Sequence, residues 1–187
     1  MVIGRDFVWA HMGKTGGNSC YKMFALVNDG SLVIDDIDDP AKHRAFEQES
    51  RAEGKARIMN FRRLGTWLIS HNTHMAVWEG LPNPEYYIAE GLAWCRTGAI
   101  TADELLSRYQ FEDVKHWILT EYLGEDFISA IGMYLKIGRR QKSILRGTHE
   151  NRGYAKILDK FDPNSCKKGY ERNPVWATLE KKLYRDA

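Results

Sequence analysis

The segment from Phe7 to Val27 constrains the fold of this chain more than any other part of the sequence. An apolar run from Phe7 to Met12 has the length and composition of a buried strand. It leads directly into a glycine-rich turn, Gly13 to Ser19, and the residues from Cys20 to Val27 suit a helix. This succession of strand, turn and helix predicts the first unit of an α/β fold with a parallel sheet.

The turn has the composition of an anion-binding loop. Its glycines let main-chain N–H groups approach oxygen atoms closely, and the start of the helix adds partial positive charge. Lys14 and the hydroxyls of Thr15 and Ser19 add side-chain donors. The loop departs from the nucleoside triphosphatase pattern, which needs a glycine five residues before a Gly-Lys pair, where this chain has Val8.

The loop resembles the phosphosulfate-binding loop of sulfotransferases that use 3′-phosphoadenosine 5′-phosphosulfate (PAPS), where the usual run is Lys-Thr-Gly-Gly-Thr-Ser. Asn18 replaces the threonine of that run and keeps a short polar side chain suited to the start of a helix. The resemblance implies a P-loop-like sulfotransferase fold, with a short parallel β-sheet flanked by helices. It also implies that the cosubstrate PAPS is bound by Lys14, Thr15, Gly16, Gly17, Asn18 and Ser19.

The same family holds the 3′-phosphate with an arginine that ends a later strand and a serine eight positions further on. Arg62 follows the apolar segment Ala56–Phe61, and Ser70 stands eight residues later. A phosphate favours the forked donors of a guanidinium, with a hydroxyl for another oxygen. The resemblance therefore assigns this phosphate to Arg62 and Ser70. Arg63 and Leu64 replace the family's Asp-Pro, which leaves both arginines as candidates.

A third segment, Phe111 to Ile131, resembles the late strand and helix of carbohydrate-type sulfotransferases. In that family the strand ends in a Thr-Glu pair, which Thr120 and Glu121 match here. The resemblance thus extends over most of the chain, although its specific motif is the Lys14 loop.

Sulfuryl transfer is an in-line displacement, in which an enzyme positions the reactants and stabilises developing charge. The resemblance makes Lys14 the residue that follows the bridging oxygen, and the chemistry needs no metal. The acceptor hydroxyl must lose a proton. We expect His43 to be the base, because related enzymes often place their catalytic histidine between the first βα unit and the Arg62 strand. His11 is expected to pack, and the pair His71 and His74 has no third metal ligand nearby in sequence.

Length and composition favour one domain spanning residues 1–187. The net charge of +2 is too small to indicate nucleic acid as a partner. No apolar run is long enough to span a membrane, and no signal peptide is visible. Three widely spaced cysteines, Cys20, Cys95 and Cys166, fit reduced intracellular thiols. We therefore expect a cytoplasmic protein.

The remaining periodicity predicts further elements. Two more core strands are expected, at Ala56–Phe61 and Val114–Thr120, with a short strand or surface turn at 31–35. The expected helices lie at 40–53, 66–78, 85–96, 101–109 and 124–137. The helix at 101–109 begins with a capping box.

Two other functions remain open. One is a sulfotransferase-like module that binds the nucleotide but has lost catalysis. The other is a nucleotide kinase with an atypical loop, which would require magnesium and a carboxylate at the end of a strand. For a sulfotransferase, the acceptor is a small molecule or carbohydrate with a hydroxyl group, and sugars, lipids, phenols and peptide tyrosines all remain candidates.

Overall fold

The computed structural model describes residues 1–148 and 167–184, apart from the side chains of residues 40 and 41. The described residues divide into two compact units. Unit 1 comprises residues 1–61 and 109–148, and unit 2 comprises residues 62–108 and 167–184. Each unit is described by itself, and the single domain expected from length stays a prediction.

The secondary structure alternates strands and helices along the chain. The strands are β1 Val2–Ile3, β2 Phe7–Ala10, β3 Val33–Ile34, β4 Ala56–Phe61, β5 Leu92–Cys95, β6 Gly98–Thr101 and β7 Val114–Leu119. The helices are α1 Gly17–Val27, α2 Leu64–Glu79, α3 Pro84–Ala89, α4 Ala102–Ser107, α5 Leu123–Ile131, α6 Arg139–Gly147, α7 Lys167–Arg172 and α8 Pro174–Leu183.

Unit 1 contains a five-stranded sheet in the order β3-β1-β2-β4-β7. The pairs β2–β4 and β4–β7 are parallel, whereas the two-residue strands β1 and β3 are joined antiparallel at one edge. The sequence prediction of an α/β fold with a central parallel sheet flanked by helices is therefore confirmed at this level. No helix within the described ranges has both the length and the apolarity needed to cross a bilayer.

The core of unit 1 explains why the first βα unit folds as the sequence indicates. Phe24 on α1 packs against Phe7 and Trp9 of β2, with ring centroids 6.1 and 5.1 Å apart, and against Phe127 of α5 at 4.8 Å. These rings are all fully buried or nearly so. Burial of such aromatic surface is the main source of stability for the unit and fixes α1 against the sheet.

A polar side chain also lies in the interior of unit 1. Asn60 of β4 is fully buried. Its Oδ1 accepts a hydrogen bond from the Trp9 indole at 2.6 Å, and its Nδ2 donates to the Thr15 carbonyl at 2.9 Å. The same Nδ2 lies 3.2 Å from the Cys20 sulfur. Asn60 thus connects β2, the loop after it and the first turn of α1.

Unit 2 has a core of its own. Trp67 of α2 packs between His71 and Trp176, with ring centroids 4.9 and 4.8 Å away. At the start of α2, the buried Glu180 accepts a hydrogen bond from the Leu64 main chain at 2.7 Å. This carboxylate satisfies one of the donors that a helix N-terminus leaves without an internal partner.

Two predicted helices are wrong in part. The range 85–96 holds the short helix α3 and then strand β5, because Gly91 adopts a positive φ of 68° and ends the helix. β5 and β6 then form a hairpin closed between Cys95 and Gly98. The range 40–53 forms three short 3-10 helices, Pro40–His43, Phe46–Gln48 and Ser50–Ala52. The capping box of Thr101 and Glu104 on α4 is confirmed.

Replacing Asn60 with leucine should lower the free energy of unfolding by roughly 2–4 kcal/mol. The leucine is of similar size but leaves the buried Trp9 N–H without its acceptor and removes one of the two side-chain donors near the Thr15 carbonyl. Urea denaturation followed by tryptophan fluorescence measures the change. The matched control is Asn18→Leu on the exposed side of α1, which should stay within about 0.5 kcal/mol of wild type. Equal stability of the two variants would contradict the role given to Asn60.

Candidate functional site

The candidate site is the loop between β2 and α1. Lys14 adopts a left-handed backbone conformation with φ of 70°, and Gly16 does so with φ of 86°. Helix α1 then begins at Gly17, with no acidic residue in its first turn and with Gly16, which has no side chain to cap the helix, at the N-cap position. The first N–H groups of a helix carry partial positive charge, so this end of α1 suits an anion.

Hydrogen bonds from side chains of the neighbouring strands hold the loop in this conformation. The Thr15 carbonyl accepts from Asn60, and the Thr120 hydroxyl lies 2.9 Å from this carbonyl and 2.9 Å from that of Phe61. With one hydrogen, the Thr120 hydroxyl donates to one of the two at a time. Because these contacts come from β4 and the end of β7, the neighbouring strands fix the loop.

The six loop residues differ in what they expose. The Thr15 hydroxyl is fully buried and donates to the Met12 carbonyl at 2.6 Å, so it closes the turn from inside. Ser19 is also buried, whereas Asn18 is exposed and Lys14 is partly exposed. Contact of these side chains with a nucleotide stays a prediction.

Gly16 and Gly17 are required to be glycine for different reasons. Gly16 needs its positive φ. A Cβ on Gly17, by contrast, would lie 2.0 Å from Cδ2 and 2.2 Å from Nε2 of His11. Gly17 is therefore required by the packing of His11 under the start of α1.

His43 lies beside this loop, in the same unit. Its Nδ1 is 3.3 Å from the His11 carbonyl, and a Cβ built on Gly13 would be 3.8 Å from its Cε1. Since a carbonyl only accepts hydrogen bonds, Nδ1 carries the proton in this contact and Nε2 holds the lone pair. Burial lowers the pKa of His43, and the positive charges of Lys42 and Lys14 lower it further. The ring is thus neutral at neutral pH and has the form of a base.

The segment that carries His43 is anchored on both sides. The Tyr109 hydroxyl donates to the His43 carbonyl at 2.9 Å. The next residue, Arg44, donates to Asp35 at 2.6 Å and to Glu49 at 2.7 Å. These contacts hold the histidine at the loop although its own 3-10 helix is short.

His11 is packed as the sequence predicted. It is 2% exposed and stacks on Trp9, with ring centroids 5.0 Å apart and planes 14° apart. Tyr21 meets it edge-on at 5.6 Å, and the His43 ring lies 4.5 Å away. Burial holds the pKa of His11 well below its usual 6.5, and the neighbouring His43 adds to the effect. Its Nδ1 is buried without a hydrogen-bond partner among the described residues.

The arginine and serine expected at the 3′-phosphate belong to unit 2. The Arg63 guanidinium lies 4.3 Å from the centre of the Tyr184 ring and 3.9 Å from the Glu180 carboxylate. Arg62 donates from Nε to the Thr66 hydroxyl at 3.2 Å, and Ser70 is 3% exposed within α2. Both arginines thus have contacts within unit 2, and both stay candidates for the 3′-phosphate. Their placement relative to the Lys14 loop stays a prediction.

The other histidines of α2 have ordinary packing contacts. The His71 ring contacts Trp67, and its Nε2 lies 2.8 Å from the Trp94 carbonyl, while the His74 ring lies 5.9 Å from that of Trp78. In the part of the chain that the structure describes, no group of three or more His, Cys, Asp or Glu side chains is arranged to hold a metal ion. Cys20 and Cys95 are free thiols, and Cys166 lies outside the described residues.

Sequence reasoning missed the residues that support the loop. Asn60 carried a usable signal, because a polar residue inside an apolar strand must find buried partners. The Thr120 hydroxyl and the fit of His11 against Gly17 carried none, since both depend on contacts between segments distant in sequence.

Comparison with known protein families, with curated proteins and with solved structures found no match to this chain.

The backbone conformation of Lys14 predicts that two variants at this position differ in stability. A non-glycine residue with a φ of 70° is strained, and glycine relieves that strain. Lys14→Gly should therefore be more stable than Lys14→Ala by about 1 kcal/mol, as measured by urea denaturation. Lys22→Gly in the middle of α1 serves as the control and should lose about 1 kcal/mol relative to Lys22→Ala. A Lys14→Gly variant less stable than Lys14→Ala would exclude backbone strain at this position.

The buried histidines predict a pH dependence of stability. The unfolded chain binds protons near the usual histidine pKa of 6.5, whereas folded His11 does not, because its pKa lies well below that value. The free energy of unfolding should therefore fall as the pH falls below about 6.5, by up to about 1.4 kcal/mol per pH unit for each such group.

Equilibrium unfolding between pH 5 and pH 8, roughly the range in which histidine titrates, checks this slope. His11→Phe should make the free energy of unfolding depend less steeply on pH. The dependence that remains comes from His43 and His116, whose pKa values burial also lowers. An unchanged slope in His11→Phe would show that the pKa of His11 is the same in the folded and unfolded protein.

Proposed function

We propose that this chain is a PAPS-dependent sulfotransferase with a P-loop-like sulfotransferase fold, which transfers a sulfuryl group to a hydroxyl acceptor. One observation carries the proposal. A neutral histidine, His43, is held with its Nε2 lone pair available beside a lysine-containing loop at the start of a helix. This combination joins an anion site to a base, as sulfuryl transfer to a hydroxyl group requires.

The residues of the loop fit the phosphosulfate end of such a cosubstrate. PAPS, when bound, supplies the activated sulfuryl group. The start of α1 and the Lys14 ammonium offer positive charge at one place, and no acidic residue in the first turn opposes it. Lys14 would stabilise negative charge on the oxygen that leaves the sulfur.

His43 would act on the acceptor. Its Nε2 accepts the proton of the attacking hydroxyl, which makes the oxygen a better nucleophile. The Nδ1–H remains bonded to the His11 carbonyl, so the imidazolium that forms keeps a hydrogen-bond acceptor. The lowered pKa keeps His43 unprotonated before the reaction.

Arg62 is proposed as the ligand of the 3′-phosphate, with Ser70 in the helix that follows. Arg62 follows the last residue of β4, at the carboxyl end of a parallel strand, where α/β sheets bind ligands. A guanidinium is well matched to a phosphate that carries about two charges.

Calorimetric titration with adenosine 3′,5′-bisphosphate, in the absence of magnesium, tests the nucleotide part of the proposal. We expect micromolar binding to wild type. Arg62→Ala and Lys14→Ala should each weaken it roughly 10-fold or more, because each loses a charged contact to a phosphate. Arg63→Ala is the matched control and should bind within about twofold of wild type, a change of less than about 0.5 kcal/mol.

The same titration with adenosine 5′-monophosphate separates the alternatives. Indifference to the 3′-phosphate would overturn the assignment, and binding only in the presence of magnesium would favour a nucleotide kinase. Transfer of labelled sulfate from PAPS to a panel of sugars and phenols tests catalysis. His43→Gln should abolish transfer and leave bisphosphate binding intact. Binding without transfer to any acceptor would identify a catalytically silent module.

A further inference from the structure

The imidazole of His11 occupies the place of a missing side chain at the start of α1. The Cδ2–Nε2 edge of the ring is where a Cβ on Gly17 would stand, at 2.0 and 2.2 Å. Gly17 is the first residue of α1, so the ring edge lies at the helix end that carries partial positive charge. A polar edge of His11 therefore lies against the first residue of α1.

The opposite nitrogen determines which form the ring takes. Nδ1 is buried and has no hydrogen-bond partner among the described residues. Buried N–H groups without an acceptor are rarer in proteins than unsatisfied acceptors. A neutral His11 therefore keeps its lone pair on Nδ1 and its proton on Nε2, which directs a donor towards the start of α1.

Packing alone does not account for a histidine here. The ring stacks on Trp9, meets Tyr21 edge-on and lies 4.5 Å from the His43 ring, and a phenylalanine would also make these three contacts. A phenylalanine would in addition bury no unsatisfied nitrogen. A histidine at position 11 therefore gives a less stable folded state than a phenylalanine would. This cost is explained if the polar edge of the ring has a function.

We propose that His11 is an anion-binding residue, whose Nε2–H joins the main-chain N–H groups at the start of α1 in holding a phosphate- or sulfate-type oxyanion in the Lys14 loop. This rests on the proposed function, since it takes that loop to be the anion site. It assigns two different tasks to the neighbouring histidines. His11 donates a hydrogen bond to the anion, and His43 accepts the proton of the hydroxyl.

The test compares His11→Phe with wild type in calorimetric titrations with inorganic phosphate and with adenosine 3′,5′-bisphosphate. The phenyl ring preserves the stack on Trp9 and removes the donor. We expect both anions to bind roughly 10- to 100-fold more weakly to the variant, the range for loss of a hydrogen bond to a charged group. His116→Phe, which alters another half-buried histidine of unit 1, is the control and should bind both anions as wild type does.

Nitrogen-15 NMR of the histidine rings in wild type tests the proposal without any variant. His11 should show an unprotonated Nδ1 and a protonated Nε2, and the Nε2–H resonance should move when phosphate saturates the loop. A proton on Nδ1, or an Nε2–H resonance that stays in place while the amides of Gly16 to Ser19 shift, would overturn it.

The outcomes for the two proposals are distinguishable. If inorganic phosphate binds with the expected dependence on His11 but the nucleotide does not bind, the sulfotransferase proposal fails and the role of His11 stands. If His11→Phe binds both anions as tightly as wild type, the role of His11 fails and the nucleotide assignment stands. Wild type that binds neither anion would overturn both.

Discussion

The buried amide of Asn60 is the interaction on which the candidate site depends. It accepts from the Trp9 indole and donates to the Thr15 carbonyl, which ties the strand before the loop to the loop itself. The Thr120 hydroxyl reaches the same carbonyl from the end of β7. A glycine-rich loop would otherwise have many accessible conformations, and ordering it would cost entropy each time a ligand binds. The three parallel strands therefore prepare the loop before any anion arrives.

Part of the secondary structure could be predicted because several elements are specified locally. The apolar run at Phe7, the strand Ala56–Phe61 and the capping box at Thr101 each depend on neighbouring residues, and all three are found in the structure. The failures have a different origin. The prediction of helix over the residues of β5 is wrong because pairing with β6 decides their conformation. The range 40–53 has helix-compatible composition, yet it follows the contacts of Arg44 and Tyr109 instead.

In the candidate site, too, some features could be predicted from the sequence and others depend on tertiary contacts. The positions of Lys14 and Gly16 follow from the sequence motif, and His43 was selected from its place in the chain, but its hydrogen bond to the His11 carbonyl depends on tertiary contacts. The contacts of Arg63 with Tyr184 and Glu180 could not be predicted from sequence, because both partners lie more than a hundred residues further along the chain.

The close fit of His11 against Gly17 makes these two positions interdependent. A methyl group at position 17 has no room while an imidazole stands at position 11. A smaller residue at position 11 would create that room, so Gly17→Ala is tolerated only after position 11 has changed. The order of substitutions along any mutational path through this loop is therefore constrained. A random library screened for folded variants should recover changes at the two positions as pairs, with alanine at position 17 absent from clones that keep the histidine.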